Sequence, residues 1–399
     1  MLNGSYASDG SYRDAAASSV LTAPAATEPA AGAPGTAKPV LPEPVAGEPV
    51  VRRAAPRIAG LATYDDETVY TQAQVLERLG LAGDEFAERI FARCGVQRRR
   101  LNLDPSFMAR SLQDRTPQVE RELLERAIGA VDALGVDPAQ VGTVISASLY
   151  SLGVPTLAHR LIEHYEMDPT TDKYHVTGVG CASGVPLMRL AAQTLHASPA
   201  EGERRDRHTL VVAAESMSGI LLAATPEDAK AKTVGSSIFG DGCAAAVLSH
   251  DARAEGPAIL ASQVHQVGGT LGAVQLEVDG PTSYLHLARE LPEIAGAGLP
   301  GVVASFLERQ GLERSQIDHW IVHPGGRRII ENVQSALGLT REQVATSWDA
   351  LADHGNIGTP SILYVLRDTI ERRKPAPGER GLMVTIGPGV TVALMLLGW

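Results

Sequence analysis

Two textures alternate along most of this chain. Short, nearly continuous apolar runs give way to stretches in which apolar residues return every three or four positions. The first texture predicts strands buried on both faces, the second helices with one buried stripe. Runs of the first kind are Val141–Ala147, His208–Ala214 and Gly242–Leu248, then Ala258–Val264, Asp318–Val322 and two runs flanking Gly387-Pro388-Gly389. The helical pattern covers Tyr70–Phe91, Val119–Leu134, Leu157–Tyr165, Val185–His196, Gly301–Arg309, Ile329–Leu337 and Ser361–Glu371. Strands alternating with helices predict an α/β fold in layers. The theme is stated twice, predicting one half over residues 57–252 and a similar one over 253–399.

Residues 1–56 break the pattern. Ala, Pro, Gly and Ser dominate, with proline at 24, 29, 34, 39, 42, 44 and 49. Such a segment buries too little surface to offset the entropy of ordering it, which predicts a disordered tail. The 399 residues carry a net charge of −11, which disfavours nucleic acid and anionic membrane as partners. Three cysteines, Cys94, Cys181 and Cys243, make no disulfide framework and point to a reducing cytoplasm. No apolar run is long enough for a membrane span, and the N-terminus lacks the pattern of a signal peptide.

One stretch has candidate chemistry of its own. Tyr174-His175-Val176-Thr177-Gly178-Val179-Gly180-Cys181-Ala182-Ser183-Gly184 reads as strand, sharp turn and helix start. Placed there, the Cys181 thiol would meet unpaired N–H groups and a helix macrodipole that favour its thiolate. Read alone, Cys181 is either a nucleophile or a buried packing cysteine. Arg98-Arg99-Arg100 is either a solvated charge run or a basic contact for a ligand. Cys94 and Cys243 read as packing residues.

Further segments change the weighing of Cys181. Gly180-Cys181-Ala182, Trp320-Ile321-Val322-His323-Pro324-Gly325-Gly326 and His354-Gly355-Asn356 follow in that order, with Phe239-Gly240-Asp241-Gly242 and Gly387-Pro388-Gly389 around them. From about Ile58 to Trp399 the chain resembles the type III polyketide synthases, the chalcone/stilbene synthase-like branch of the thiolase superfamily, in a bacterial form. The resemblance implies a five-layered αβαβα thiolase-like fold, a homodimer, and acyltransfer by decarboxylative condensation of malonyl-CoA onto an acyl-CoA starter. It implies no metal and no cofactor beyond the CoA thioesters. By position, Cys181 is the acyl-accepting nucleophile, with His323 and Asn356 completing the catalytic set. A cationic His323 would then depress the Cys181 pKa. Phe239 matches a gatekeeper, Gly325 and Gly326 line the pantetheine arm, and Arg93 falls near a CoA phosphate contact.

Some positions depart from the family. Leu285 stands at the second gatekeeper and Leu221 at a starter-pocket threonine, while the terminal loop reads Thr385-Ile386-Gly387-Pro388-Gly389. The leucines make an aliphatic starter, and an alkylpyrone or alkylresorcinol-type product, the expected outcome, with malonyl-CoA as its own starter the alternative. A β-ketoacyl synthase III shares the Cys-His-Asn set and is the nearest rival. A degradative thiolase needs a second cysteine in the terminal loop, and residues 386–390 hold none. A papain-like hydrolase would want a secreted, disulfide-bonded chain. A scaffold subunit would not need its nucleophile.

Overall fold

The structure is a computed structural model that describes residues 54–151, 153–197, 207–220, 229–251, 253–279 and 282–399. The tail expected over 1–56 lies almost wholly outside them, as does Leu221; Leu285 is placed on a strand, but its side chain is outside the description.

Nine strands form the main sheet: β1 (Arg57–Tyr64), β2 (Val141–Ala147), β3 (Asp172–Val176), β4 (His208–Glu215), β5 (Gly242–Ser249), β6 (Ala258–Gln266), β7 (His319–Val322), β8 (Arg380–Gly387) and β9 (Thr391–Gly398). Their order is β7-β8-β9-β6-β1-β5-β4-β2-β3. A single pairing, Arg57 with Ala258, joins β1 to β6 at the middle. On one side β2 runs parallel to β4, which pairs antiparallel with β5, and β5 with β1. On the other side β7 runs parallel to β8, which pairs antiparallel with β9, and β9 with β6. Leaving out the edge strand β3, the two halves share one topology. The repeat visible in the sequence is a repeat of structure.

Alternation along each strand sends its side chains into two different cores. In β4, Val211 and Ala213 join one cluster while Leu210, Val212 and Ala214 join another. In β8, Met383 faces the first cluster, whereas Leu382 and Val384 face a third. The shared cluster holds helices Gly184–Ala197 and Ser361–Asp368, through Val185, Met188, Ile362 and Leu366, between the inner faces of both half-sheets. Helix Leu112–Leu134 covers one outer face through Val119, Leu123 and Val131. Helices Leu291–Glu308 and Arg327–Leu337 cover the other through Val303, Phe306 and Val333. The layers are therefore helix, sheet, helix, sheet, helix, the five expected.

Local sequence sets the helix limits. Ser111 caps Leu112–Leu134 by accepting from the Asp114 N–H, and Gly135 ends it with φ of 63°. The single helix expected over Tyr70–Phe91 is two, Gln72–Arg78 and Glu85–Arg93, broken where Gly80 and Gly83 take positive φ. The helix expected from Gly301 starts at Leu291, with Pro300 inside it.

The two middle helices touch at Gly184, where a Cβ would lie 2.2 Å from Ile362 Cγ2 and 3.1 Å from the Thr359 carbonyl. Alanine is about 1 kcal/mol better than glycine inside a helix. Overpacking at that distance costs about 1–3 kcal/mol and outweighs the gain. Gly184→Ala is expected to lower Tm in thermal unfolding, and adding Ile362→Leu, which removes the γ2 methyl at similar volume, should recover part of the loss. An unchanged Tm for Gly184→Ala would mean that the helices have room to part.

Candidate active site

Cys181 sits in a 3-10 turn, Gly180–Ala182, between the end of β3 and the helix that starts at Gly184. Gly178 and Gly180 take φ of 79° and 67°, which a side chain would resist. The turn is held from the second half of the chain. A Cβ on Gly180 would lie 2.7 Å from Pro388 Cγ, and one on Gly387 would lie 2.5 Å from the Ala182 nitrogen. Thr385 Oγ1 donates to the Ala182 carbonyl at 3.1 Å. The terminal Gly387-Pro388-Gly389 loop is thus the seat of the Cys181 turn.

Asn356 lies beside it. Its Oδ1 accepts from the Gly358 N–H at 2.9 Å and from Ser361 Oγ at 3.4 Å, which fixes the amide's orientation. Its Nδ2 donates to the Gly325 carbonyl at 3.2 Å and stands 3.6 Å from Cys181 Sγ. His323 follows the end of β7 and is 1% exposed; neither ring nitrogen has a hydrogen-bond partner among the described residues. Gly325 makes room for the ring, since a Cβ there would come within 3.1 Å of His323 Cδ2.

All three residues line one cavity of about 920 Å³, as do Phe239, Gly325, Gly326 and Arg93. Sequence reasoning passed over four more arginines on its wall, Arg89, Arg289, Arg327 and Arg328, all exposed. They escape notice because they come from three separate segments. Cys94, expected only to pack, lines the cavity too.

Glu215 was also missed. It is buried at the end of β4, accepts from the Leu149 N–H at 2.8 Å and from Thr359 Oγ1 at 2.9 Å, and ties β2 to the Asn356 loop. Its signal was an acid closing an otherwise apolar run.

Electrostatics correct one expectation. Burial pushes the Cys181 thiol up to about 11, helped by the negative charge of Glu215 and opposed by the hydrogen bond with Asn356. Burial alone pushes His323 down to about 3. Glu215 is raised to about 7, again by burial. Both shifts favour a neutral imidazole and a protonated thiol, not the thiolate that the turn's position implied or the cationic His323 that the resemblance implied.

Residues 61–318 match the family profile described as FAE1/Type III polyketide synthase-like protein, and residues 259–398 that of the chalcone and stilbene synthases, C-terminal domain. This chain belongs to the type III polyketide synthases. It is similar to a 3,5-dihydroxyphenylacetyl-CoA synthase of Streptomyces toyocaensis, 30% identical over 362 residues, 86% of this chain and 90% of that protein. It is 28% identical to the alpha-pyrone synthesis polyketide synthase-like Pks18 of Mycobacterium tuberculosis, over 85% of this chain and 90% of the relative. Among solved structures, PKS-I of the brown alga Ectocarpus siliculosus superposes with a TM-score of 0.79 at 24% identity, covering 87% of this chain and 99% of the other. The 1,3,6,8-tetrahydroxynaphthalene synthase of Streptomyces coelicolor gives 0.77 at 23%, with the same coverage. These last two show the shared fold. As a type III polyketide synthase the chain is an acyltransferase-type enzyme.

For this type III synthase, a raised thiol pKa means that Cys181 reactivity increases with pH. Site-resolved mass spectrometry of iodoacetamide labelling should show Cys181 alkylation still climbing above pH 9, with Glu215→Gln shifting the curve to lower pH. A plateau reached below pH 8 would contradict the raised thiol pKa.

Proposed function

We propose that the protein loads an acyl group from acyl-CoA onto Cys181 and condenses it with the enolate formed by decarboxylating malonyl-CoA. The observation that carries this reading is the Asn356 amide. Its oxygen accepts from the Gly358 N–H, which sets its nitrogen between the Gly325 carbonyl and the sulfur, 3.2 and 3.6 Å away. A neutral imidazole beside it supplies a second N–H donor. Two such donors suit the thioester oxygen on which decarboxylation builds negative charge. A carboxylate in place of Asn356 would repel that charge. Cysteine suits the carrier role because thioester exchange is nearly isoenergetic, so the cargo leaves as readily as it arrives.

The exposed arginines on the cavity wall, Arg89, Arg93, Arg327 and Arg328, support phosphate binding at the CoA end. Inside, Ile90, Val234, Ile238, Leu291 and Ile386 give an aliphatic wall. Apolar burial contributes roughly 0.8 kcal/mol per CH₂, so a growing alkyl chain gains steadily there. The favoured starter is an aliphatic acyl-CoA and the favoured product an alkylpyrone or alkylresorcinol type; Leu285 and Leu221 enter this reading from the sequence alone.

Assembly as a homodimer through β3 has support in the fold. That strand is a sheet edge with unpaired backbone groups, Tyr174 on it is exposed, and Val154 in the preceding loop is 86% exposed. Among the described residues no helix is long and apolar enough to cross a membrane, and the three cysteines are free thiols, as suits a cytoplasmic address.

Asn356→Ala should slow malonyl-CoA decarboxylation about 10²–10³-fold, while intact-protein mass still shows acyl-Cys181. Wild-type carbon dioxide release from that variant would remove Asn356 from the reaction. Across starters from acetyl- to palmitoyl-CoA, plus benzoyl- and coumaroyl-CoA, kcat/KM should rise with alkyl length. A preference for coumaroyl-CoA, or equal product from malonyl-CoA alone, would overturn the aliphatic starter.

A further inference from the structure

The run Arg98-Arg99-Arg100 is neither solvated throughout nor part of the cavity wall. Arg98 is exposed and pairs with Asp353 at 3.0 Å. Arg100 is partly buried and donates to the Asp353 carbonyl and to His354 Nδ1, at 3.3 and 3.1 Å. Arg99 between them is 0% exposed. Its Nη1 donates to the Phe239 carbonyl at 2.9 Å, and its Nε and Nη2 have no hydrogen-bond partner among the described residues. Burying a guanidinium on so few bonds is costly. An aliphatic side chain would fill the space at lower cost, so packing does not account for this arginine.

We propose that Arg99 is a positioning residue for decarboxylation, acting through Phe239 and Asn356 without touching substrate; this rests on Asn356 being an enolate donor. Phe239 and Asn356 form a parallel bridge outside the named strands. The Asn356 N–H donates to the Ile238 carbonyl at 2.7 Å, and the Gly240 N–H donates to the Asn356 carbonyl at 3.1 Å. The two segments come this close because neither Gly240 nor Gly355 has a side chain. A Cβ on Gly240 would lie 2.3 Å from the His354 carbonyl, and one on Gly355 would lie 2.4 Å from the Ile238 carbonyl. Those same two positions face the Arg99 stem, at 3.4 Å from its Cβ and 3.6 Å from its Cδ. The stem therefore backs both glycines while the head holds the carbonyl of the bridging residue. The strand carrying Arg99 is itself anchored, with Gln97 N–H donating to the Ala352 carbonyl at 2.8 Å and Asp241 N–H to the Arg100 carbonyl at 2.9 Å. Cys181 and His323 are set by other elements, the β3 turn and the end of β7. Loss of Arg99 therefore loosens Asn356 and leaves the nucleophile in place.

The test uses the full-length protein with Arg99→Met and Arg99→Lys, and Asn356→Ala beside them. Arg99→Met should lower kcat for malonyl-CoA decarboxylation roughly 10–100-fold, as a sub-ångström misplacement does. KM for malonyl-CoA and the rate of Cys181 acylation should stay within about threefold of wild type. Arg99→Lys, whose ammonium can reach one carbonyl, should recover part of kcat. The proposal fails if decarboxylation stays near wild type in both Arg99 variants, or if acylation falls in parallel with it, the mark of a merely structural residue. If Arg99→Met does not fold, the kcat-against-KM split in Arg99→Lys decides alone. Asn356→Ala separates the two layers. Wild-type decarboxylation there overturns the Asn356 reading on which this one stands, whereas a slow Asn356→Ala beside normal Arg99 variants overturns the Arg99 inference only.

Discussion

The contact between the Cys181 turn and the Gly387-Pro388-Gly389 loop is the constraint on which the centre of the molecule depends. The loop joins the last two strands, so it belongs to the second half, while the turn belongs to the first. They pack this closely because Gly180, facing the Pro388 ring, and Gly387, facing Ala182, have no side chains. Along the sheet the halves join over a short stretch, where Arg57 pairs with Ala258, the Ile58 N–H donates to the Pro257 carbonyl and the Ile259 N–H donates to the Pro56 carbonyl. What aligns them is the layer of shared helices and this seat under Cys181. Cys181 from one half and His323 and Asn356 from the other are brought to one cavity by the packing of the repeat itself.

Removal from water sets the chemistry that follows. A histidine in solution takes up a proton near neutral pH, and a cysteine sheds one slightly above it. In this cavity both stay neutral, because each charge alone would be desolvated without compensation. Burial, rather than the position of the turn, sets the direction of both shifts. The same burial acts on Glu215, which sits near its own titration point at neutral pH.

Much of this was legible in the sequence because the strands are buried on both faces and so appear as unbroken apolar runs. Val141–Ala147 was read to the residue. The order of Cys181, His323 and Asn356, with glycines at turns that need them, pointed to the site. Failures have physical causes. Arg99 hid inside a charge run, where burial of the middle member leaves no trace in composition. Glu215 hid at a strand end, one residue beyond the expected boundary. The neutral state of Cys181 and His323 depends on what surrounds them in three dimensions, which turn and helix position alone do not give. The helix from Leu291 to Glu308 hid its first turns behind Pro292, Gly296, Gly298 and Pro300.

A thiol kept protonated by its surroundings has a consequence for the idle protein. Peroxides and stray electrophiles attack the thiolate far faster than the thiol. An enzyme that carried a permanent thiolate would be consumed by them between turnovers, and would hydrolyse or scramble any thioester that wandered in. Here burial holds the thiol in its protonated, slower-reacting form at neutral pH. The burial that makes Cys181 hard to ionise is therefore also its shelter against such reagents.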